Sequence, residues 1–149
     1  MTFALPASNG AIAALVPHAG AMVLLDRATA CDADGIVCVA RSHLDPANPL
    51  RRDNRLAAIC GLEYALQAAA LHGALTDDHQ AQPAGYVAAL RDIVLHADRL
   101  DDPAFAELRV TARLERQEAG GMIYALAVHA PGGAALVTGR AVIALPARS

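Results

Sequence analysis

Between residues 108 and 115 the chain alternates strictly. Leu108, Val110, Ala112 and Leu114 are apolar, while Arg109, Thr111, Arg113 and Glu115 are polar. A period of two puts the two sets on opposite faces, which predicts a strand with one buried and one wet side. Gly120-Gly121 and Pro131-Gly132-Gly133 then punctuate two further apolar tracts, 122–129 and 135–145. With 85–95 ahead of them, these segments predict an antiparallel meander. Upstream, 22–30 and 36–40 read as a hairpin around the turn Asp32-Ala33-Asp34-Gly35. Residues 11–16 suit a short helix that stops at Pro17, and 42–54, with Pro46 and Pro49, reads as a loop.

One stretch breaks the β pattern. Residues 56–71 contain no proline and one glycine, with Asp53 or Asn54 placed to cap the start and Gly73 to follow the end. This helix is apolar on nearly every face, which predicts burial all round. A helix of that kind needs a sheet curved about it, so the expected class is α+β, an antiparallel sheet wrapped around one long buried helix. With no repeat or linker in view, residues 1–149 are expected to form one domain.

Composition narrows the functional classes. Hydrophobic residues make up 55% and charged residues 18% of the 149, the net charge is −3, and all 12 cations are arginine. Such a balance gives no general attraction to nucleic acid or anionic membrane, and only five aromatic residues argue against base stacking. Glu63, Gln67 and His72 interrupt the apolar run 56–75, so it is not expected to span a membrane. Cys31, Cys38 and Cys60 form no C-x-x-C pair, and no basic segment precedes the apolar N-terminus. The expectation is reduced thiols in a cytoplasmic protein.

Few residues are placed to do chemistry. Glu63 sits in the predicted buried helix with no Lys or Arg from 56 to 75. Desolvation of an unpaired carboxyl favours its protonated form, which suits a general acid. Gln67, four residues on, shares its face and is placed to orient it. His18, between Pro17 and Gly20, and His43, after the second predicted strand, are the two candidate bases. His72, His79 and His129 are expected at the surface or at caps, and His96 at a strand end. No histidine spacing matches a metal motif, so no metal is expected. Arg51, Arg52 and Arg55 precede the helix and favour an anion. Phosphate-loop and serine-hydrolase motifs are absent.

Three stretches carry a resemblance: Val16-Pro17-His18 with Met22-Val23-Leu24-Leu25-Asp26-Arg27, Asn48-Pro49-Leu50-Arg51-Arg52-Asp53, and Gly61-Leu62-Glu63-Tyr64-Ala65-Leu66-Gln67. The chain resembles the hotdog-fold 3-hydroxyacyl-acyl carrier protein dehydratases, in the branch of aryl-polyene and related pigment biosynthesis. It departs from the better-known members, which place a histidine in a G-H-F-P-G segment before the helix, where residues 48–55 here hold none. The resemblance implies a hotdog fold and a lyase that turns a carrier-bound 3-hydroxyacyl thioester into the trans-2-enoyl thioester. In it Glu63 is the acid, and His18, preferred over His43, the base. It implies no metal or nucleotide cofactor, Gln67 and the three arginines on the substrate side, and an acyl carrier protein as partner. It further implies a homodimer, or a heterodimer with a second hotdog subunit. A hotdog acyl thioesterase and a non-catalytic partner subunit are the alternatives.

Overall fold

The computed structural model describes residues 4–76 and 86–144, with side chains from 87 onward in the second span. The elements run α1 (Asn9–Ala13), β1 (Arg27–Cys31), β2 (Gly35–Ala40), α2 (Gly61–Thr76), β3 (Tyr86–Leu95), β4 (Leu108–Glu118), β5 (Gly121–His129) and β6 (Ala135–Ala144). The strands form one six-stranded sheet in the order β1-β2-β4-β5-β6-β3, and every pairing is antiparallel. Its inner face packs α2 against β2, β4, β5 and β6. Inward residues of β4 and β5, such as Leu108, Val110, Leu126 and Val128, meet Leu62, Ala65, Ala68 and Leu71 of the helix in one core. This is the α+β wrapped-helix layout that the patterning predicts.

Besides α1, which runs Asn9–Ala13 and ends before the expected 11–16 span does, the elements differ from expectation in two places. The helix begins at Gly61 rather than 56, after a 3₁₀ turn Ala58–Cys60, and Gly73 lies inside it. Asp53 and Asn54 do not cap it. Both have positive φ, 53° and 60°, and Arg52 and Arg55 exchange backbone hydrogen bonds across them. Such a two-residue turn with both central residues left-handed suits Asp and Asn. Glycine at the helix start has a packing reason: a Cβ on Gly61 would stand 2.6 Å from Val137 Cγ1.

The second difference is the strand expected over 22–30, which pairs only from Arg27 onward. Residues 20–22 form a 3₁₀ turn instead, and 23–26 run extended without a strand neighbour on the helix side.

Eleven residues of α2 are buried, and only a stripe of Glu63, Leu66, Ala70 and Gly73 stays half-buried ahead of exposed Thr76. A helix whose apolar faces predict burial all round therefore keeps one half-open stripe. The largest exposed aliphatics lie mainly on β3, an edge strand: Val87, Leu90, Val94 and Leu95 are 42–50% exposed.

Candidate functional site

Glu63 stands in the first turn of α2, where the helix dipole favours a carboxylate. Its side chain is 34% exposed, so it is not the sealed carboxyl that the apolar helix sequence predicts. Its partner comes from 45 residues upstream. Val16 is buried, Pro17 turns the chain outward, and Gly20 takes a left-handed φ of 59° to start the 3₁₀ turn. His18 projects from that bend, and its Nε2 lies 3.1 Å from Glu63 Oε1. Among the described residues its Nδ1 is buried without a hydrogen-bond partner, whereas the ring as a whole keeps 24% exposure. A carboxyl and an imidazole in hydrogen-bond contact, both half-open to solvent, can hand a proton to and fro and act on a third group.

Gln67 is placed differently from the expectation that it orients Glu63 or touches substrate. It is fully buried. Its Oε1 accepts from Leu24 N at 2.8 Å, and its Nε2 donates to the Met22 carbonyl. Those two groups point the same way from an extended chain, as they would toward a neighbouring strand, so the carboxamide stands in for a strand. Other side chains complete the service. Asn9 Nδ2 donates to Val23 O and Leu25 O, both at 2.9 Å, and Ser42 Oγ donates to Leu24 O at 2.7 Å. A buried backbone group left without a partner costs about 1–3 kcal/mol, which explains why four polar atoms converge on so short a tract.

Tyr64, next to Glu63, faces the other way. Its hydroxyl meets Ser42 Oγ at 2.8 Å and accepts from Asn48 Nδ2 at 3.0 Å, and burial pushes its pKa up to about 12. Asn48 also donates to Ser42 O and accepts from Leu50 N, which shapes the loop ahead of the helix. Further along α2, His72 is buried, not at the surface. Its Nδ1 pairs with Tyr124 Oη at 2.7 Å and its Nε2 with Asp32 O at 2.8 Å. Since a carbonyl only accepts, Nε2 of His72 carries a proton. His129 is half-buried on β5, His96 is exposed just after β3, and His79 lies outside the described residues.

His43 is fully buried in the 3₁₀ turn Ser42–Leu44, and its Nε2 donates to the Phe105 carbonyl. No hydrogen bond links it to Glu63 among the described residues. The geometry brings His18 to the carboxyl and leaves His43 in the core.

The arginines separate as well. Arg51 is tied inward. Its Nε donates to Asp45 O at 2.9 Å, its Nη1 lies 3.3 Å from Asp101 Oδ2, and its side chain is 17% exposed. Asp101 also receives Arg99 in two hydrogen bonds and the Leu56 amide at 3.0 Å, and Arg99 chiefly holds its carboxyl well below the usual range. Arg52 and Arg55 flank the left-handed turn and are exposed. Arg52 Nη1 reaches only neighbouring carbonyls, and Arg55 Nη2 touches Asp98 O at 3.5 Å.

A long helix wrapped in one antiparallel sheet defines a hotdog protein, and here a carboxyl in the first turn of that helix faces a histidine from the preceding bend. The model of the ApeP-like family, described as ApeP dehydratase, matches residues 10–148, and the chain belongs to that family. No curated protein sequence matches it. Among solved structures, the dehydratase heterocomplex ApeI:P from Xenorhabdus doucetiae superposes with a TM-score of 0.76 at 17% identity, covering 92% of this chain and 91% of that one. Zebrafish thioesterase superfamily member 2 gives 0.64 at 12% identity, covering 93% of each chain. A Pseudomonas aeruginosa thioesterase gives 0.59 at 13% identity, covering 81% of each. At these identities the likeness is one of fold.

Burial lowers the pKa of His43, opposed by its hydrogen bond to Phe105. The folded protein therefore keeps this ring neutral where the unfolded chain, titrating at about 6.5, takes up a proton. Its contribution to stability is full above that pH and is lost as the pH falls below it. Urea unfolding at pH 7.5 and 5.5 should show a smaller acid-side loss in His43→Gln than in the wild type. An unchanged difference between the two pH values would remove His43 from the account.

Proposed function

We propose that the protein dehydrates a 3-hydroxyacyl thioester, delivered on the phosphopantetheine arm of an acyl carrier protein, to the trans-2-enoyl thioester. Aryl-polyene or related pigment biosynthesis is the proposed setting. The carrying observation is the His18–Glu63 contact at 3.1 Å with both side chains half-open. Nε2 is the working nitrogen, since Nδ1 is buried. His18, neutral, takes the C2 proton at Nε2. The C3–O bond breaks as the Glu63 carboxyl passes its proton to the departing hydroxyl, and water leaves. The imidazolium then returns its new proton to the carboxylate across the same contact, so both groups end as they began. No further cofactor enters this balance.

The carrier protein is proposed to approach over Arg52 and Arg55, the two members of the arginine cluster whose side chains stay exposed near the start of α2. Arg51, ion-paired to Asp101, shapes that surface from behind. Acidic carriers are attracted by a local cationic patch even where net charge is negative, because fields are screened within about 10 Å.

A partner subunit is proposed on β3. Four aliphatic side chains 42–50% exposed along one edge strand are a liability in a lone chain. The partner is a second hotdog subunit, a copy of this chain or a related one.

Two outcomes are expected. Incubated with a 3-hydroxyacyl carrier protein, the protein should produce a mass loss of one water, and His18→Asn and Glu63→Gln should each lower the rate by about 10²–10⁴-fold, far more than His43→Asn. Loss of the whole acyl group would make it a thioesterase, and no change in mass would make it a non-catalytic subunit. Sedimentation should give a mass above that of one chain for the wild type or its reconstituted pair, and the single-chain mass for Leu90→Asp with Val94→Asp. A wild type that sediments as one chain whatever is added would remove the β3 interface.

A further inference from the structure

We propose that Gln67 is a positioning residue: it sets the His18–Glu63 contact by fastening the segment that follows His18 to the helix that carries Glu63. This rests on the reading of His18 and Glu63 as the working pair, and it adds a residue that touches neither substrate nor reacting atoms.

The geometry is a matched pair of offsets. Glu63 and Gln67 are four residues apart on α2, one helical turn, and share a face. His18 and Met22 are four residues apart on the bend that faces it. Nε2 of His18 meets Oε1 of Glu63 at one end of this span, and the Gln67 carboxamide binds Met22 O and Leu24 N at the other. Between the two ends lies the bend itself, with Gly20 in a left-handed conformation and residues 19–21 exposed. The bend closes on itself through Met22 N to Ala19 O and Val23 N to Gly20 O, and its position against α2 is set by the anchors on either side. Upstream the anchor is Val16, buried and bonded from its amide to Ile12 O. Downstream it is Gln67, whose donor and acceptor fix both the position and the direction of the chain at Met22 and Leu24.

Gln67 satisfies buried backbone groups at Met22 and Leu24, and because it does so from α2 it ties that tract to the helix that bears Glu63. A residue that bound substrate would need exposure, and Gln67 has none. Asn9 and Ser42 hold neighbouring carbonyls of the same tract, but neither is on the element that bears Glu63. Gln67 alone among them links the two halves of the pair through one rigid helix.

The test uses the full chain labelled with ¹⁵N-histidine, with the His18 ring signals assigned by their loss in His18→Asn. It compares wild type, Gln67→Leu and Gln67→Glu, each checked for native circular dichroism. In Gln67→Leu the His18 Nε2 signal should move to where Glu63→Gln puts it. The kcat should fall on the order of 10²-fold, as expected for a small displacement of a catalytic group, with KM within about twofold. In the His18→Asn background the same substitution should cost almost nothing further. Gln67→Glu covers the case in which the leucine variant does not fold. While the introduced carboxyl is protonated it repeats both hydrogen bonds, and once ionised it can no longer donate to Met22 O. The His18 signal in that variant should therefore be wild-type at about pH 5 and displaced reversibly by about pH 9, the range in which buried carboxyls ionise, beyond any change the wild type shows. The inference is overturned if folded Gln67→Leu, or ionised Gln67→Glu, keeps the wild-type His18 signal, or if the loss in kcat is undiminished without His18. Because the ring signal is read without substrate, a wild type that proves inactive would defeat the dehydratase reading and leave this result standing.

Discussion

A helix enclosed by a sheet must find a partner for every polar side chain it carries, and that requirement organises this molecule. α2 presents four such groups to its surroundings. Glu63 meets His18, Tyr64 meets Ser42 and Asn48, Gln67 meets the backbone at 22 and 24, and His72 meets Asp32 O and Tyr124. Each ties a different piece of chain to the helix: the histidine bend, the loop ahead of α2, the extended tract before β1, and the turn of the first hairpin together with β5. Each buried member left unpaired would cost about 1–3 kcal/mol, so the four contacts fix how the irregular segments lie on the helix. Glu63 is the one of the four that is itself half-open, whereas Tyr64, Gln67 and His72 are buried, which is why chemistry is assigned there and not to the others.

The loop that leads into α2 shows the same logic applied to charge. Asp101 is almost fully enclosed, and its two oxygens receive Arg99, Arg51 and the Leu56 amide. A buried carboxylate is stable only when paired and hydrogen-bonded, and this one is both. Arg51 is thereby committed to the interior, while the left-handed turn at Asp53 and Asn54 carries Arg52 and Arg55 outward. Three arginines within five residues thus become one structural cation and two surface ones.

Much of this was legible in the sequence. The alternation at 108–115, the glycine and proline punctuation after it and the proline-free apolar run around Glu63 suffice for an antiparallel sheet around a helix, and the hotdog resemblance follows from motifs at 16–27 and 61–67. The proximity of His18 to Glu63 was anticipated only through that resemblance, because a contact across 45 residues leaves no local periodicity. The missed features share one cause: they depend on partners distant in sequence. The tract 22–26 has strand-like composition, but side chains of Asn9, Ser42 and Gln67 take the place of a strand beside it. Spacing within a helix points Gln67 at Glu63, whereas a backbone partner 43 residues away leaves no mark in the sequence. His72 reads as a surface residue in the sequence because its partners, Asp32 and Tyr124, lie 40 and 52 residues away. Asp53 and Asn54 suit a helix cap and a left-handed turn equally, and the structure uses them in the turn that Arg52 and Arg55 close.

The central claim is that His18 and Glu63 act as one unit. A double-mutant cycle on the dehydration rate, with His18→Asn and Glu63→Gln made singly and together, tests it most directly. For a pair that passes one proton between its members, the double variant should be little slower than the slower single variant. Losses that multiply would mean two independent groups, and the contact between them would then be structural.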